Sequence, residues 1–242
     1  MGVTFQFLLV SLVLISGHWV YIRLLEDPSF RVRKIEVEGC TRIPPDLIRS
    51  LIMIEGMPNL FTLKLGEIAK RVETHPWIDH LVIRKIFPNR IKVHVEERKP
   101  IAILQLEDLY YLDAKGVVFS QVRDGDGYDF PFLTGLTRQA LEKDPEASKG
   151  LLLKALELLS MAEKEKVSPL EEISQIHMSP TFGIDCYTKT AGLEVRMGEN
   201  AFGEKMRRLT IVWSDLRKRG LSVMSIDCSD LNRIVVKRSQ KG

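Results

Sequence analysis

The spacing of hydrophobic residues changes twice along the chain, and each change predicts a different kind of structure. The chain is almost continuously apolar up to Ile22 and then shows short alternating and helical periods up to about residue 99. Beyond Pro100, alternating segments dominate and two longer helical stretches interrupt them. Alternation is typical of half-buried strands, and apolar residues three and four apart are typical of amphipathic helices. The pattern predicts an α+β protein with an N-terminal transmembrane helix and two folded parts.

The first segment, from Val3 to Ile22, contains no Asp, Glu, Lys or Arg in twenty residues. At a rise of about 1.5 Å per residue, a helix of this length spans about 30 Å, the thickness of a bilayer's hydrocarbon core. Trp19 and Tyr21 lie at its far end, where aromatic rings favour the membrane interface. A cleaved signal peptide would need a basic start and a small-residue cleavage site, and a buried core helix of this length seldom begins a soluble domain. We favour an uncleaved transmembrane anchor.

The charges around this segment leave its orientation open. No Lys or Arg precedes the segment, and four basic residues follow it: Arg23, Arg31, Arg33 and Lys34. Cytoplasmic flanks of membrane helices are usually the more basic ones, and this rule, applied literally, places the rest of the chain in the cytoplasm. However, long domains cross membranes largely regardless of such charges.

The first folded part, residues 24–99, shows the order strand, helix, helix, strand, strand. Pro44 and Pro45 suit the start of the first helix, Pro76 ends the second, and Phe87-Pro88-Asn89 joins the last two strands. Such a unit buries two helices on one face of a three-stranded sheet. The residues expected to face its core are Ile35, Val37, Leu47, Ile48, Leu51, Ile52, Leu65, Ile68, Ala69, Val72, Ile91, Val93 and Val95.

A run of charged residues closes the last of these strands: Glu96, Glu97, Arg98 and Lys99. Adjacent residues on a strand point to opposite faces, so Glu96 and Glu97 cannot act as a pair on one substrate. We therefore interpret the run as a solvated strand end at the boundary between two domains.

The second folded part, from residue 100, predicts an antiparallel sheet. Strands turn at residues 113–116, a loop occupies residues 122–136, and further strands lie at residues 172–188 and 192–198. A last strand, a turn near Asp230-Leu231-Asn232 and one more strand end the chain.

Two helices flank this sheet. Asp144 is expected to cap the first, at residues 143–166, and Asn200 to cap the second, which Gly220 ends. Their apolar stripes are Leu152, Ala155, Leu159 and Ala162 in the first and Phe202, Met206, Leu209, Trp213 and Leu216 in the second.

The sequence contains none of the motifs that usually signal catalysis or a cofactor. There is no glycine-rich phosphate loop, no G-x-S-x-G and no pair of histidines spaced for zinc. Cys40, Cys186 and Cys228 lack Cys-x-x-Cys spacing, and the alternatives for the last two are buried thiols or a disulfide. A net charge of +3 without a long basic run gives no indication of nucleic-acid binding. We expect no enzymatic activity, no cofactor, no metal and no small-molecule substrate.

Two segments resemble a known protein family: HPWIDHLVIRKIFPNRIKVHVEERKPIA at residues 75–102 and SIDCSDLNRIVVK at residues 225–237. The first contains an ordered series made of Pro76-Trp77, a strand, Phe87-Pro88, a second strand, and then Glu97 with Pro100 and Ala102. Together with the anchor, these segments strongly resemble the FtsQ family of bacterial cell division proteins, called DivIB in some bacteria. The resemblance covers nearly the whole chain.

The resemblance implies a fold and a role. It implies a transmembrane anchor at residues 1–23, a POTRA domain at residues 24–99 and a β domain at residues 100–242. The protein would be a single-pass (type II) protein of the cytoplasmic (inner) membrane, located at the division septum, with both domains outside the cytoplasm. It would be a non-enzymatic scaffold that links early and late divisome proteins. FtsB and FtsL would bind the C-terminal end of the β domain, and FtsK, FtsW and FtsI would be further partners.

The last strand is the part of this chain expected to bind these partners. An edge strand offers unpaired N–H and C=O groups to which a partner can add a strand. The alternative is that residues 233–237 merely complete the sheet. Where the family often has Asp-Leu-Arg and an aromatic residue, this chain has Asp227-Cys228-Ser229-Asp230. It therefore lacks the family's arginine and aromatic side chains at this point, whereas backbone pairing would survive. The expected contact residues are Asp230, Arg233, Ile234, Val235, Val236 and Lys237.

Two other protein classes are the alternatives. An outer-membrane assembly or secretion accessory protein would carry repeated POTRA units or a barrel of alternating strands, each roughly 10 residues long, whereas this sequence shows one such unit. An anchored enzyme, such as a cell-wall hydrolase, would need a nucleophile or a metal cluster.

Overall fold

A computed structural model describes residues 2–52, 58–126, 129–165, 169–189 and 192–239 of the chain. It forms two compact units, Met1–Arg98 and Lys99–Gly242. The helices are α1 (Gly2–Glu26), α2 (Pro45–Ile52), α3 (Leu65–Glu73), α4 (Arg138–Lys143), α5 (Pro145–Glu165) and α6 (Phe202–Lys218). The strands are β1 (Lys34–Glu38), β2 (Ile78–Ile86), β3 (Arg90–Glu97), β4 (Pro100–Gln105), β5 (Leu109–Asp113), β6 (Val118–Gln121), β7 (Phe132–Thr134), β8 (Ile173–Ser179), β9 (Gly183–Thr188), β10 (Glu194–Gly198), β11 (Val223–Asp227) and β12 (Val235–Arg238).

The helix α1 contains the predicted anchor. Its segment Gln6–Glu26 is long and apolar enough to cross a membrane, and none of its most apolar part is buried against the protein. Leu12, Leu14 and Ile15 are each more than three-fifths exposed, a degree of exposure that suits a lipid environment. The prediction of a long apolar helix at this end of the chain is confirmed.

The first unit has the predicted strand, helix, helix, strand, strand order. Its three strands lie in the order β1-β3-β2, with β3 parallel to β1 and antiparallel to β2. Ile91, Val93 and Val95 of the central strand are fully buried beneath α2 and α3, as their alternation predicts. Gly39 follows β1 with φ of +87°, and a Cβ there would lie 2.1 Å from the Val95 carbonyl oxygen, so the glycine is required by a close backbone approach.

One predicted core position of this unit is wrong. Leu47 is 40% exposed, whereas Ile48 and Ile52 on the same helix α2 are fully buried. The helix is described only to Ile52, and the predicted extension to Gly56 lies outside the described residues. The two fully buried positions are four residues apart, so they mark a stripe narrower than the one predicted.

The charged run at the end of β3 is not simply solvated. The half-buried carboxylate of Glu97 accepts the backbone N–H groups of Thr41, Arg42 and Ile43 over 2.8–2.9 Å. Burial raises the pKa of Glu97, but these backbone donors outweigh it and hold the pKa below its ordinary value. Glu97 therefore fixes the loop that leads into α2, and the expectation of a solvated strand end is wrong for this residue.

Arg98 is also held in place. Its guanidinium donates to the Ile78 carbonyl oxygen over 3.1 Å and forms an ion pair with Asp79 at 3.2 Å. Nearby, the Arg42 guanidinium lies over the Trp77 ring, 4.0 Å from its centroid. The two Arg98 contacts tie the end of β3 to the start of β2.

The second unit is built on a nine-stranded sheet with the strand order β12-β11-β10-β9-β8-β7-β4-β5-β6. The apolar stripes of α5 and α6 pack on one face of this sheet, in a core that includes Ile176, Cys186, Val195 and Ile226. The sheet mixes parallel and antiparallel pairs, since β7 is parallel to both β4 and β8 and β10 is parallel to β11. The α+β class is confirmed, but an entirely antiparallel second sheet is not.

Two local predictions for this unit differ from the structure, and one short helix was not predicted. The short strand β7 lies within the predicted loop at residues 122–136, and α4 was not predicted. Asn200 does not cap α6; the residue before this helix is Ala201, with φ of +56° and no side-chain cap. By contrast, Asp144 accepts the Ala147 N–H at the start of α5, as predicted.

Candidate partner-binding site

The C-terminal turn brings the last two strands together through side-chain hydrogen bonds. The Asp227 carboxylate accepts both the N–H and the hydroxyl group of Ser229, at 2.9 and 2.6 Å. Asp230 accepts the Asn232 N–H over 2.7 Å. Aspartates that bond to the backbone two residues ahead are typical of tight turns, so this sequence folds locally into the connection between β11 and β12.

The strand β12 lies at one edge of the sheet and pairs with β11 on one side only, among the residues that the structure describes. Ile234 and Val236 are partly buried against the core of the second unit. Val235 points to the other face and is 48% exposed, and Lys237 is exposed with it. The edge thus combines a row of backbone N–H and C=O groups that face no other described strand with an exposed apolar side chain.

The hydrogen bonds of β11 determine which amides of β12 face outward. The Cys228 N–H donates to the Arg196 carbonyl oxygen on β10, so alternate residues of β11, including Asp227, bond to β12 instead. Asp227 is opposite Val235 in the strand register, and Ser225 is opposite Lys237. The backbone groups of Val235 and Lys237 therefore point inward to β11, and those of Val236 and Arg238 point outward.

A row of polar side chains crosses the face of the sheet opposite α5 and α6 and ends at this edge. In register order the row runs Thr134, His177, Asp185, Arg196 and Asp227, and Asp227 is opposite the apolar Val235 of β12. His177 Nδ1 lies 3.0 Å from the Thr134 hydroxyl oxygen. Arg196 lies between two aspartates, and opposite charges across neighbouring strands stabilise such a row.

Burial and charge shift the pKa values of both aspartates in this row. Burial raises the pKa of Asp185, and the positive charge of Arg196 opposes the rise. Burial also raises the pKa of Asp227, but the two hydrogen bonds from Ser229 outweigh it and leave this pKa below its ordinary value. Asp227 is thus held as a carboxylate beside the edge strand.

A polar cleft of about 630 Å³ lies beside the turn and is lined in part by Phe182, Asp185, Glu199, Lys205 and Asp227. The buried ammonium of Lys205 donates to the Met197 carbonyl oxygen over 2.8 Å. Burial lowers the pKa of Lys205, and the negative groups near the turn oppose this effect. Phe182 is 75% exposed, so the cleft has an exposed aromatic ring next to its charged groups.

The structure brings most of the predicted contact residues together at this edge. Val235, Val236 and Lys237 lie in β12, whereas Arg233 and Ile234 precede the strand and Asp230 lies in the turn. Sequence reasoning missed Arg238, which is part of the strand, and the exposed side chains of Leu231 and Met224. The alternation of β12 continues through Arg238, so extending the pattern by one residue would have found it.

The other groups considered for chemistry are separate from this edge or buried. Cys186 and Cys228 are buried as free thiols, and burial raises the pKa of Cys228 to about 11. In the described part of the chain, no three His, Cys, Asp or Glu residues are arranged to hold a metal ion.

Comparisons with known proteins identify both units. The model of the "POTRA domain, FtsQ-type" family matches residues 30–98. The model of the "Cell division protein FtsQ/DivIB, C-terminal" family matches residues 102–229. The second match ends before β12, so the candidate edge lies just beyond it.

Relatives match over most of the chain. A cell division protein FtsQ of Syntrophotalea carbinolica is 37% identical over 214 residues, which are 88% of this chain and 76% of the relative. A cell division protein FtsQ of Geotalea daltonii is 30% identical over 230 residues, covering 95% and 84% of the two chains. A cell division protein DivIB of Solibacillus silvestris is 25% identical over 205 residues, covering 82% and 66%.

Proposed function

Because this chain belongs to the FtsQ/DivIB family of cell division proteins, we propose that it is a non-enzymatic, bitopic scaffold of the divisome. In this proposal it links early and late division proteins at the septum. FtsB and FtsL bind at the C-terminal edge of the second unit, through Asp230 and residues 233–237. FtsK, FtsW and FtsI are further partners that contact the anchor and the first unit.

We also propose where the protein lies in the cell. The apolar helix α1 supports a single pass through the cytoplasmic (inner) membrane, since its segment Gln6–Glu26 has the length and composition to span a bilayer. Family membership supports a type II orientation, with both folded units outside the cytoplasm. The proposed division is an anchor at residues 1–23, a POTRA domain at 24–99 and a β domain at 100–242.

One observation carries the binding proposal: β12 is an edge strand whose outward backbone groups meet no other described strand. A partner segment in extended conformation can continue the sheet there, and each added backbone hydrogen bond contributes about 1 kcal/mol. The exposed side chain of Val235 adds an apolar contact on the same edge.

The experiment is a calorimetric titration of the full chain in nanodiscs with the extracytoplasmic segment of its own organism's FtsB, alone and with FtsL. Arg238→Pro removes an outward amide from an exposed position, and Val235→Lys replaces the exposed apolar side chain with a charged one. We expect each change to weaken binding about tenfold or more.

The matched control is Val118→Lys. Val118 lies on β6 at the opposite edge of the same sheet and is 41% exposed, close to the 48% of Val235. This variant is expected to bind like the wild type. Equal binding by Arg238→Pro, Val235→Lys and the wild type would place the partner elsewhere, and no binding by any folded form would contradict the scaffold proposal.

A further inference from the structure

Three phenylalanine rings form an exposed cluster in the first unit, called here the aromatic patch: Phe30, Phe61 and Phe87. The ring centroids of Phe30 and Phe61 lie 5.1 Å apart, and those of Phe61 and Phe87 also lie 5.1 Å apart. Phe61 is 38% exposed and Phe87 is 51% exposed. The three rings pack on one another and remain partly exposed. Exposed apolar surfaces of this kind are typical of sites that contact a membrane or another protein.

The patch is fixed to the end of the transmembrane helix by one buried side chain. The Asn59 amide nitrogen donates to the carbonyl oxygens of Leu24 and Leu25, in the last turn of α1, over 2.8 and 2.9 Å. Its amide oxygen accepts the Phe61 N–H over 2.9 Å. Asn59 thus satisfies carbonyl groups that a helix end leaves open and orients the segment that carries Phe61.

Phe30 is joined to the segment that carries Phe61 through a backbone hydrogen bond. The Leu60 N–H donates to the Phe30 carbonyl oxygen over 2.8 Å, and Phe30 follows the end of α1 at Glu26 by four residues. The polar interface of a bilayer adds roughly 5–8 Å beyond the hydrocarbon core on each side. A patch tied by hydrogen bonds to the last turn of a spanning helix therefore lies at the level of the lipid headgroups.

Basic groups border the patch. Arg31 follows Phe30 directly and Arg33 bonds through its N–H to the Asn89 carbonyl oxygen, and both side chains are exposed. The Lys85 ammonium donates to the Phe61 carbonyl oxygen over 3.4 Å. Aromatic rings flanked by cations match the chemistry of an interface that contains anionic lipid headgroups.

We propose that the aromatic patch inserts into the lipid headgroup region beside α1 and holds the first unit against the membrane surface. The inference rests on the proposed membrane anchor, but not on any divisome partner. The lipid surface is favoured over a protein partner because the patch is continuous with the spanning helix and is bordered by cations. Asn59 is a positioning residue in this arrangement.

The test measures how deep single nitroxide labels lie in the full chain, reconstituted alone into vesicles of phosphatidylcholine with phosphatidylglycerol. Labels are attached at Phe61→Cys or Phe87→Cys in a Cys40→Ser background; Cys186 and Cys228 are buried and stay unlabelled. Collisional relaxation by lipid-soluble oxygen is compared with relaxation by a water-soluble nickel chelate. We expect the ratio of oxygen to nickel accessibility at both positions to be several-fold higher than at an exposed position away from the membrane.

Two control positions separate the possible results. Leu47→Cys, at 40% exposure on α2, matches the exposure of Phe61 without belonging to the patch, and Leu14→Cys reports the depth of the anchor itself. In one result, the labels at 61 and 87 are as accessible to nickel as the label at 47, while the label at 14 is in lipid. This result would overturn the proposed insertion of the aromatic patch and leave the proposed anchor intact. A water-exposed label at 14 would overturn both.

A further variant tests the role of Asn59. Asn59→Ala removes the side-chain bonds to Leu24, Leu25 and Phe61, so we expect the label at Phe87→Cys to shift toward nickel accessibility while the label at Leu14→Cys stays in lipid. An unchanged depth of the label at position 87 would show that the position of the aromatic patch in the membrane does not depend on Asn59. That result would overturn the positioning role of Asn59.

Discussion

At the scale of single residues, Glu97 shows how a contact between distant positions gives a charged side chain a structural role. It bonds to backbone donors 54 to 56 residues earlier in the chain. Nothing in the local pattern predicts this, because Glu96 and Glu97 look alike in sequence and differ only in the face of β3 that each occupies. The end of the strand could therefore be predicted from the sequence, but the hydrogen bonds that Glu97 accepts from the loop before α2 could not.

Glu97→Ala is expected to destabilise the first unit by about 1–2 kcal/mol, because several N–H groups lose a charged acceptor. Denaturation is followed by the fluorescence of Trp77, with Trp19 and Trp213 replaced by Phe. Glu96→Ala is the matched control: Glu96 is exposed, and its change should stay within about 0.5 kcal/mol.

The same residue gives the first unit a pH dependence. The pKa of Glu97 in the folded protein lies below its ordinary value of 4.5, so its contribution is fully present above that value and is lost as the pH falls through the lower folded pKa. The stability difference between wild type and Glu97→Ala should therefore be constant near neutral pH and shrink in acid. A difference that grows on acidification would contradict this account.

At the scale of elements, the helices were predicted best when their apolar stripe was long. The stripe of α6 is found as expected, with Phe202, Met206, Leu209 and Leu216 buried. The strand β7 has three residues and α4 has six, too few to show a period, so neither could be recognised. Ala201, and not Asn200, is the residue before α6, and it has a left-handed conformation that its residue type does not predict.

The stripe of α6 leads to a stability prediction for the second unit. Leu209→Ala is expected to cost roughly 2–4 kcal/mol because Leu209 is fully buried and its truncation leaves a cavity. The measurement is denaturation followed by the fluorescence of Trp213, with the other two tryptophans replaced by Phe.

The control lies two residues away on the same helix. Ile211 is 72% exposed, so Ile211→Ala should change the free energy of unfolding by no more than about 0.5 kcal/mol. Equal effects of the two substitutions would mean that α6 does not pack on the sheet through the predicted stripe.

At the scale of the whole molecule, an apolar helix begins the first of two units, and each unit has its own core. Hydrophobic periodicity was sufficient to predict this plan and the fold class. The edge position of β12 could be proposed from sequence, but the direction of its backbone groups depends on the pairing of β11 with β10, which no local pattern reveals. The candidate site was thus predictable as a strand, and its outward amides were not.

The most direct test of the scaffold account is residue-resolved amide hydrogen exchange in the full chain, with and without a saturating extracytoplasmic segment of its own FtsB. Val235 and Lys237 bond inward to β11 and should exchange slowly in both states. Strand addition predicts that the outward amides of Val236 and Arg238 exchange about tenfold more slowly, or slower still, once the segment is bound. Saturated binding that leaves these two amides unchanged would contradict a partner site at the C-terminal edge.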